Sequence, residues 1–101
     1  MSKTETINLR EEEIEASLKK LSGWTVIKGP KLQRRFEFKN FVEAFGFMAK
    51  VALLAESMDH HPEWTNVYNV VSIELCTHDE STITNKDIEL ATRIDQLLAE
   101  K

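Results

Sequence analysis

The chain has 101 residues, 42% of them apolar and 30% charged, with a formal net charge of -4. That length and composition describe one soluble globular domain, residues 1–101, burying roughly 65% of the surface its unfolded chain exposes. The acidic balance argues against a duty built on phosphate neutralisation, so no direct nucleic-acid binding is expected; the basic pair Arg34-Arg35 alternates with apolar residues and reads as strand decoration.

The single cysteine, Cys76, excludes an intramolecular disulfide framework. Residues 1–13 are polar and acidic, without the apolar stretch of a signal peptide. Aliphatic runs such as residues 51–55 fall far short of the about 20 residues that span a bilayer. No membrane association is expected, and a cytoplasmic location is.

The spacing predicts a helix over residues 9–21, with Ile14, Leu18 and Leu21 on one stripe, Glu11–Glu13 at its start and Lys19-Lys20 at its end. Gly23 is placed to stop it. Residues 24–28 and 32–39 form a predicted hairpin around Gly29-Pro30. In its second strand Leu32, Phe36 and Phe38 alternate with Gln33, Arg35, Glu37 and Lys39, the pattern of a half-buried antiparallel strand. Arg34 interrupts the apolar face, either as a strand-end snorkel or as a cation turned toward a ligand.

Asn40 caps a second helix that runs to about residue 58. It carries two apolar stripes, Phe41, Phe45, Met48, Ala52 and Ala55, and Phe47, Val51, Leu54 and Met58. One stripe suffices to pack on a sheet, so the other is expected to meet a second subunit, with Phe47, Val51, Leu54 and Met58 as the interface. Pro62 ends that helix, and residues 64–68 and 70–77 are the next strands, with only Asn69 as a good turn residue between them. The last helix covers residues 84–99; Thr84 with Asp87 forms a capping box, and Ile88, Ala91, Ile94 and Leu98 make its buried stripe. The fold class is α+β, two-layered, with a four-stranded antiparallel sheet and three helices on one face.

All three histidines fall in two short segments, Glu56-Ser-Met-Asp59-His60-His61-Pro62-Glu63-Trp64 and Thr77-His78-Asp79. Pairing through a turn at Asn69 brings the two segments to one end of the sheet. Imidazole titrates near neutral pH, so such a cluster suits proton transfer in both directions. Three readings stand. Three histidines are enough for a catalytic zinc, but the adjacent pair His60-His61 strains a single tetrahedral centre. Exposed histidines around a helix end can also do nothing. The third reading is general acid–base catalysis on a flat heterocycle, with Glu56 or Asp59 orienting a ring and Trp64 supplying an apolar wall.

The string Glu56-x-x-Asp59-His60-His61-Pro62-x-Trp64-x-x-x-Tyr68, followed by Leu75-x-Thr77-His78 and Thr84-x-x-Asp87-x-x-Leu90-Ala91, resembles the pterin-4a-carbinolamine dehydratases. The resemblance runs from Gly23-Trp24 to the last helix and includes Phe45-Gly46-Phe47-Met48. It implies a lyase without cofactor or metal that removes water from 4a-hydroxytetrahydropterin, giving the quinonoid dihydropterin in tetrahydrobiopterin recycling. It also implies catalysis by His60, His61 and His78, with substrate contacts at Asp59 and Cys76, Thr77, His78 and Asp79, and Glu56 and Trp64 alongside. A homotetramer built as a dimer of dimers is implied too, and some family members serve as dimerisation cofactors of a homeodomain transcription factor, so a non-catalytic binding module is the alternative. Two departures stand out: Cys76 replaces a common Ser or Thr, and Thr82 a common Gly; if that Gly is left-handed, Thr82 must shift the loop and with it the pose of His78. Asp87 belongs to the family signature, but the capping box accounts for it.

Overall fold

In the computed structural model, which describes residues 5–99, the elements follow in the order α1 (Glu11–Leu18), β1 (Thr25–Ile27), β2 (Lys31–Glu37), α2 (Phe41–Met58), β3 (Glu63–Val67), β4 (Val70–Leu75) and α3 (Asn85–Ala99). The strands form one antiparallel sheet in the order β1-β2-β4-β3. This is the expected α+β architecture. Leu32 and Phe36 of β2 and Val71, Ile73 and Leu75 of β4 share one buried cluster with Ile14, Phe47, Val51, Leu90 and Ile94 of the helices. The opposite face carries Arg35 and Glu37 of β2 and Ser72 and Glu74 of β4, all exposed or half-buried, as strict alternation requires. Among the described residues no helix is long and apolar enough to cross a membrane.

Local chemistry explains most boundaries. The Asn40 side chain accepts a hydrogen bond from the Glu43 N–H at 2.9 Å and starts α2. At the tight turn between β3 and β4, Tyr68 takes a left-handed φ of 51° and Asn69 ties the turn to the end of β2 by donating to the Phe38 carbonyl at 2.7 Å. The helix α1 is shorter than the periodicity suggests. After Leu18 the backbone tightens, Lys20 and Leu21 donating to Ser17 and Leu18, and this swings Leu21 into the core. Residues 7–9, which carry no strand pattern, pair with the segment before α3: Leu9 donates to Ile83 and Asn85 donates to Ile7.

The structure reverses the two stripes of α2. Ala44, Phe47, Val51, Ala55 and Met58 are buried, whereas Val42, Phe45 and Leu53 are 78%, 58% and 73% exposed. The Phe47 ring decides the orientation, with its centroid 4.9 Å from those of both Phe36 and Phe38. The expected interface of Phe47, Val51, Leu54 and Met58 is therefore core, and the apolar face left open is that of Phe41, Val42, Phe45 and Leu53. In α3 the stripe is likewise turned, with Leu90 fully buried and Ile88 and Leu98 at the margin.

Arg34 neither snorkels nor faces a ligand. Its Nη1 lies 2.8 Å from Asp95 Oδ1 of α3, the oxygen that also accepts from Trp24 Nε1 at 2.9 Å, and its guanidinium stacks 4.6 Å above the Phe36 ring. Gly23 makes room for it: a Cβ there would come within 2.9 Å of Arg34 Nε, on a backbone with φ of 101°.

Candidate active site

The two histidine segments meet where α2 runs into β3 and β4 runs out toward α3. Asp59 closes α2 in a left-handed conformation (φ 52°), and the His60 N–H donates back to the Ala55 carbonyl at 3.0 Å. The chain thereby leaves the helix with His60 turned inward and His61 outward; the former is buried, the latter exposed. The second segment follows β4 as a tight turn in which the Thr77 N–H donates to Thr82 at 2.9 Å and the Ser81 N–H to His78 at 3.1 Å. Ser81, not Thr82, takes the left-handed backbone (φ 53°), so the β-branched Thr82 is accommodated as an extended residue bridged to Thr77.

Between these segments lies a cavity of about 410 Å³, within the range of small-molecule sites. Asp59, His60, His61 and Pro62 line one side and Cys76, Thr77, His78 and Asp79 the other, with Thr6, Glu80 and Lys86 at the rim. Seven of the nine residues singled out from the sequence thus surround one space. Glu56 touches it through His61, its Oε1 lying 2.9 Å from Nε2 in a pair exposed to solvent. Trp64 does not line it. It sits opposite Ile73 on the core side of the sheet, half-buried, beside a separate small groove with Thr65 and Ser72.

Beneath the cavity is a network that the capping box only half announces. Asp87 is fully buried. Its Oδ2 accepts from the Thr84 N–H at 2.8 Å, which is the capping contact, and from Thr77 Oγ1 at 2.9 Å. Its Oδ1 lies 2.5 Å from His60 Nε2. The Thr77 and Thr84 hydroxyls are 2.6 Å apart, and Thr84 Oγ1 accepts from the Lys86 N–H at 3.2 Å. A carboxylate only accepts, so the network assigns the proton on His60 to Nε2; Nδ1 is then the base of the neutral ring and a second donor of the charged one. Asp87 thus holds a histidine that lines the cavity, a contact that sequence reasoning missed by assigning the residue to the cap alone. The available signal was that a capping box uses one carboxylate oxygen and leaves the other free.

A second cluster borders the cavity. Lys31 Nζ is 2.5 Å from Glu63 Oε1 and 3.7 Å from Glu74 Oε1. The hydrogen bond to Glu63 raises the Lys31 pKa, and the same bond lowers that of Glu63. Burial pushes the Cys76 thiol up, keeping it protonated and disfavouring a nucleophilic role. Among the described residues the group able to offer three metal donors in one place is Glu63, Cys76 and His78, not the three histidines.

The model of the family described as pterin 4 alpha carbinolamine dehydratase matches residues 7–97. The chain belongs to that family. A curated relative from Solibacter usitatus, provisionally named pterin-4-alpha-carbinolamine dehydratase, is 52% identical over 94 residues, covering 93% of this chain and 98% of its own. A similarly named protein of Prochlorococcus marinus (strain MIT 9313) is 53% identical over 89 residues, covering 88% and 92%. A crystal structure described as a transcriptional coactivator/pterin dehydratase from Brucella melitensis superimposes with a TM-score of 0.85 at 46% identity, covering 88% of this chain and 96% of that one. A pterin dehydratase-like protein identified as a RuBisCO assembly factor in the alpha-carboxysome gives a TM-score of 0.64 at 26% identity, covering 74% and 88%.

Proposed function

We propose that this family member dehydrates 4a-hydroxytetrahydropterins, releasing water and the quinonoid dihydropterin, by histidine acid–base catalysis. The observation that carries the reading is the meeting of His60, His61 and His78 at one cavity, with His60 held by the buried Asp87. Hydroxide is a poor leaving group until it is protonated, and loss of water from the carbinolamine also requires a proton to leave the ring system. An imidazolium on one side of a flat heterocycle and a neutral imidazole on the other supply both transfers, worth about 10²- to 10⁴-fold over the spontaneous reaction. His61, exposed and oriented by Glu56, suits exchange of protons with solvent; His60, whose Nε2 proton is fixed by Asp87, suits a defined role on the substrate. Asp59, Cys76, Thr77 and Asp79 supply polar and backbone contacts for the bicycle, and no cofactor is required.

The setting follows from the chemistry: a carbinolamine arises when a tetrahydropterin-dependent oxygenation ends, so the enzyme would act in cytoplasmic tetrahydrobiopterin recycling. Residues 1–101 work as one domain. The open face of Phe41, Val42, Phe45 and Leu53 joins helices of neighbouring copies, giving a homo-oligomer, with a tetramer as the dimer of dimers. The experiment that tests the reading is stopped-flow measurement of quinonoid dihydropterin formation with and without the protein. Acceleration proportional to protein concentration supports it. A second reading, a module that recruits a protein partner, has the described roles of the Brucella and carboxysome proteins behind it. An inert protein in the stopped-flow assay would favour that reading.

A further inference from the structure

Where the cavity borders the open face of the sheet, three side chains of different donor chemistry converge. Glu63, the first residue of β3, is in register with Glu74 of β4, and Cys76 lies two residues beyond Glu74 on the same side of the strand path. His78 follows in the turn. A carboxylate oxygen of Glu63, Sγ of Cys76 and a ring nitrogen of His78 all lie within 4.8 Å of one another. Zinc holds thiolate at about 2.3 Å and imidazole or carboxylate at about 2.0–2.2 Å, which sets tetrahedral neighbours roughly 3.3–3.8 Å apart. The donors therefore need to close by about an ångström or so, and both Glu63 and His78 reach solvent and have torsions free to do it. A sulfur, nitrogen and oxygen set selects a thiophilic cation over magnesium or calcium.

We infer that Glu63, Cys76 and His78 form a binding site for a thiophilic divalent cation, zinc by preference, that withdraws His78 from the cavity when filled. The thiol proton passes to solvent as the sulfur–metal bond forms, and water completes the shell. Lys31 opposes entry, because its ammonium occupies Glu63 at 2.5 Å. A bound cation would compete with that ammonium for the charge of the carboxylate, and Glu74, 3.7 Å away, gives Lys31 a second partner to shift onto. That competition makes the site reversible and regulatory instead of a permanent structural centre. The sulfur of Cys76 is the donor on which the choice of metal depends.

The test is titration of the chelator-treated protein with Co²⁺, followed by displacement with Zn²⁺. One equivalent of Co²⁺ should bind with a thiolate-to-cobalt charge-transfer band in the near ultraviolet, and Zn²⁺ should abolish the band. Cys76→Ser should remove the band. Glu63→Gln should weaken the dissociation constant by about tenfold or more, since even outer-shell partners of a metal site are worth that much, and Lys31→Met should tighten it. Circular dichroism of each variant checks folding. A folded protein without the band would overturn the inference, as would a dissociation constant that both Glu63→Gln and Lys31→Met leave unchanged. The loss of His78 to the metal rests on the proposed dehydratase reading, and there zinc should inhibit turnover reversibly with chelator. A protein that shows the band but has no dehydratase activity refutes that reading and leaves the metal site standing.

Discussion

Replacing Asp87 by Asn keeps the shape of the side chain and removes one acceptor from a place that uses all of them. The carboxylate receives three contacts, from His60 Nε2, Thr77 Oγ1 and the Thr84 N–H, in a fully buried position. The amide has two ways to sit. With its NH₂ toward His60, the ring must surrender the Nε2 proton and become the other tautomer, so that Nδ1, the basic nitrogen of the neutral ring in the wild type, carries the proton instead. With its NH₂ toward Thr84, His60 keeps its partner, but two donors face each other at the start of α3; an unpaired buried donor costs about 1–3 kcal/mol. The first arrangement damages catalysis and the second damages stability.

The stability cost is bounded by the cap and the buried donor, about 1–3 kcal/mol, which lowers the melting temperature of a domain this size by about 4–8 °C per kcal/mol. The catalytic cost is set by the tautomer, and general acid–base terms of about 10²- to 10⁴-fold give the scale. Asp87→Asn should therefore lose about 10²-fold in kcat while remaining folded at 20 °C or so, with an altered pH–rate profile. Thr84→Ala is the control, because it removes the cap hydroxyl and leaves the contact between His60 and Asp87 in place; it should lower the melting temperature with little loss of kcat. A folded Asp87→Asn protein with kcat within about twofold of wild type and an unshifted pH profile would refute the argument that Asp87 sets the state of His60.

His61→Ala should cost about 10²-fold or more in the stopped-flow rate and His60→Ala and His78→Ala at least about tenfold each; single variants all close to wild type would sink the acid–base mechanism. The double variant of His60 and His61 should lose less than the product of the single losses, since residues acting as a unit are not additive. Trp64→Phe should lower the melting temperature and leave KM unchanged, because the ring packs at the core margin away from the histidine cavity; a raised KM with unchanged stability would return it to the substrate site. Phe45→Glu should reduce the oligomeric state seen by light scattering, whereas Val51→Glu should unfold the protein, because Val51 is fully buried. A wild-type monomer at micromolar concentration would refute the assembly.

The parts legible in the sequence were those decided by neighbours along the chain. Asn40 and Thr84 announce helix starts because a cap is a contact over two or three residues, and the alternation after Leu32 announces a strand because pleating is local. Which stripe of α2 meets the sheet was not legible, since both are apolar and the choice rests on Phe36 of β2 and Phe38 just beyond it, residues that precede the helix and meet Phe47 only in the folded protein. The partners of Arg34 were hidden for the same reason, Asp95 lying 61 residues away. Most of the site was legible because its residue types are rare in the chain and adjacent; the distant acceptor of His60 was not.

That acceptor binds stability and chemistry together. The carboxylate that caps α3 is the one that holds His60, and the Thr77 hydroxyl that meets it belongs to the strand exit that presents His78. Three elements therefore reach their positions through a single buried group: the end of α2, the end of β4 and the start of α3. Two consequences follow. His60 is held in place by the fold itself, while His61 and His78 reach the same cavity on exposed side chains, so the backbone alone brings the three to one space. And a variant that loosens the cap cannot leave the site untouched unless it spares Asp87. The contrast between Thr84→Ala and Asp87→Asn therefore separates what the cap does for the helix from what its carboxylate does for the imidazole.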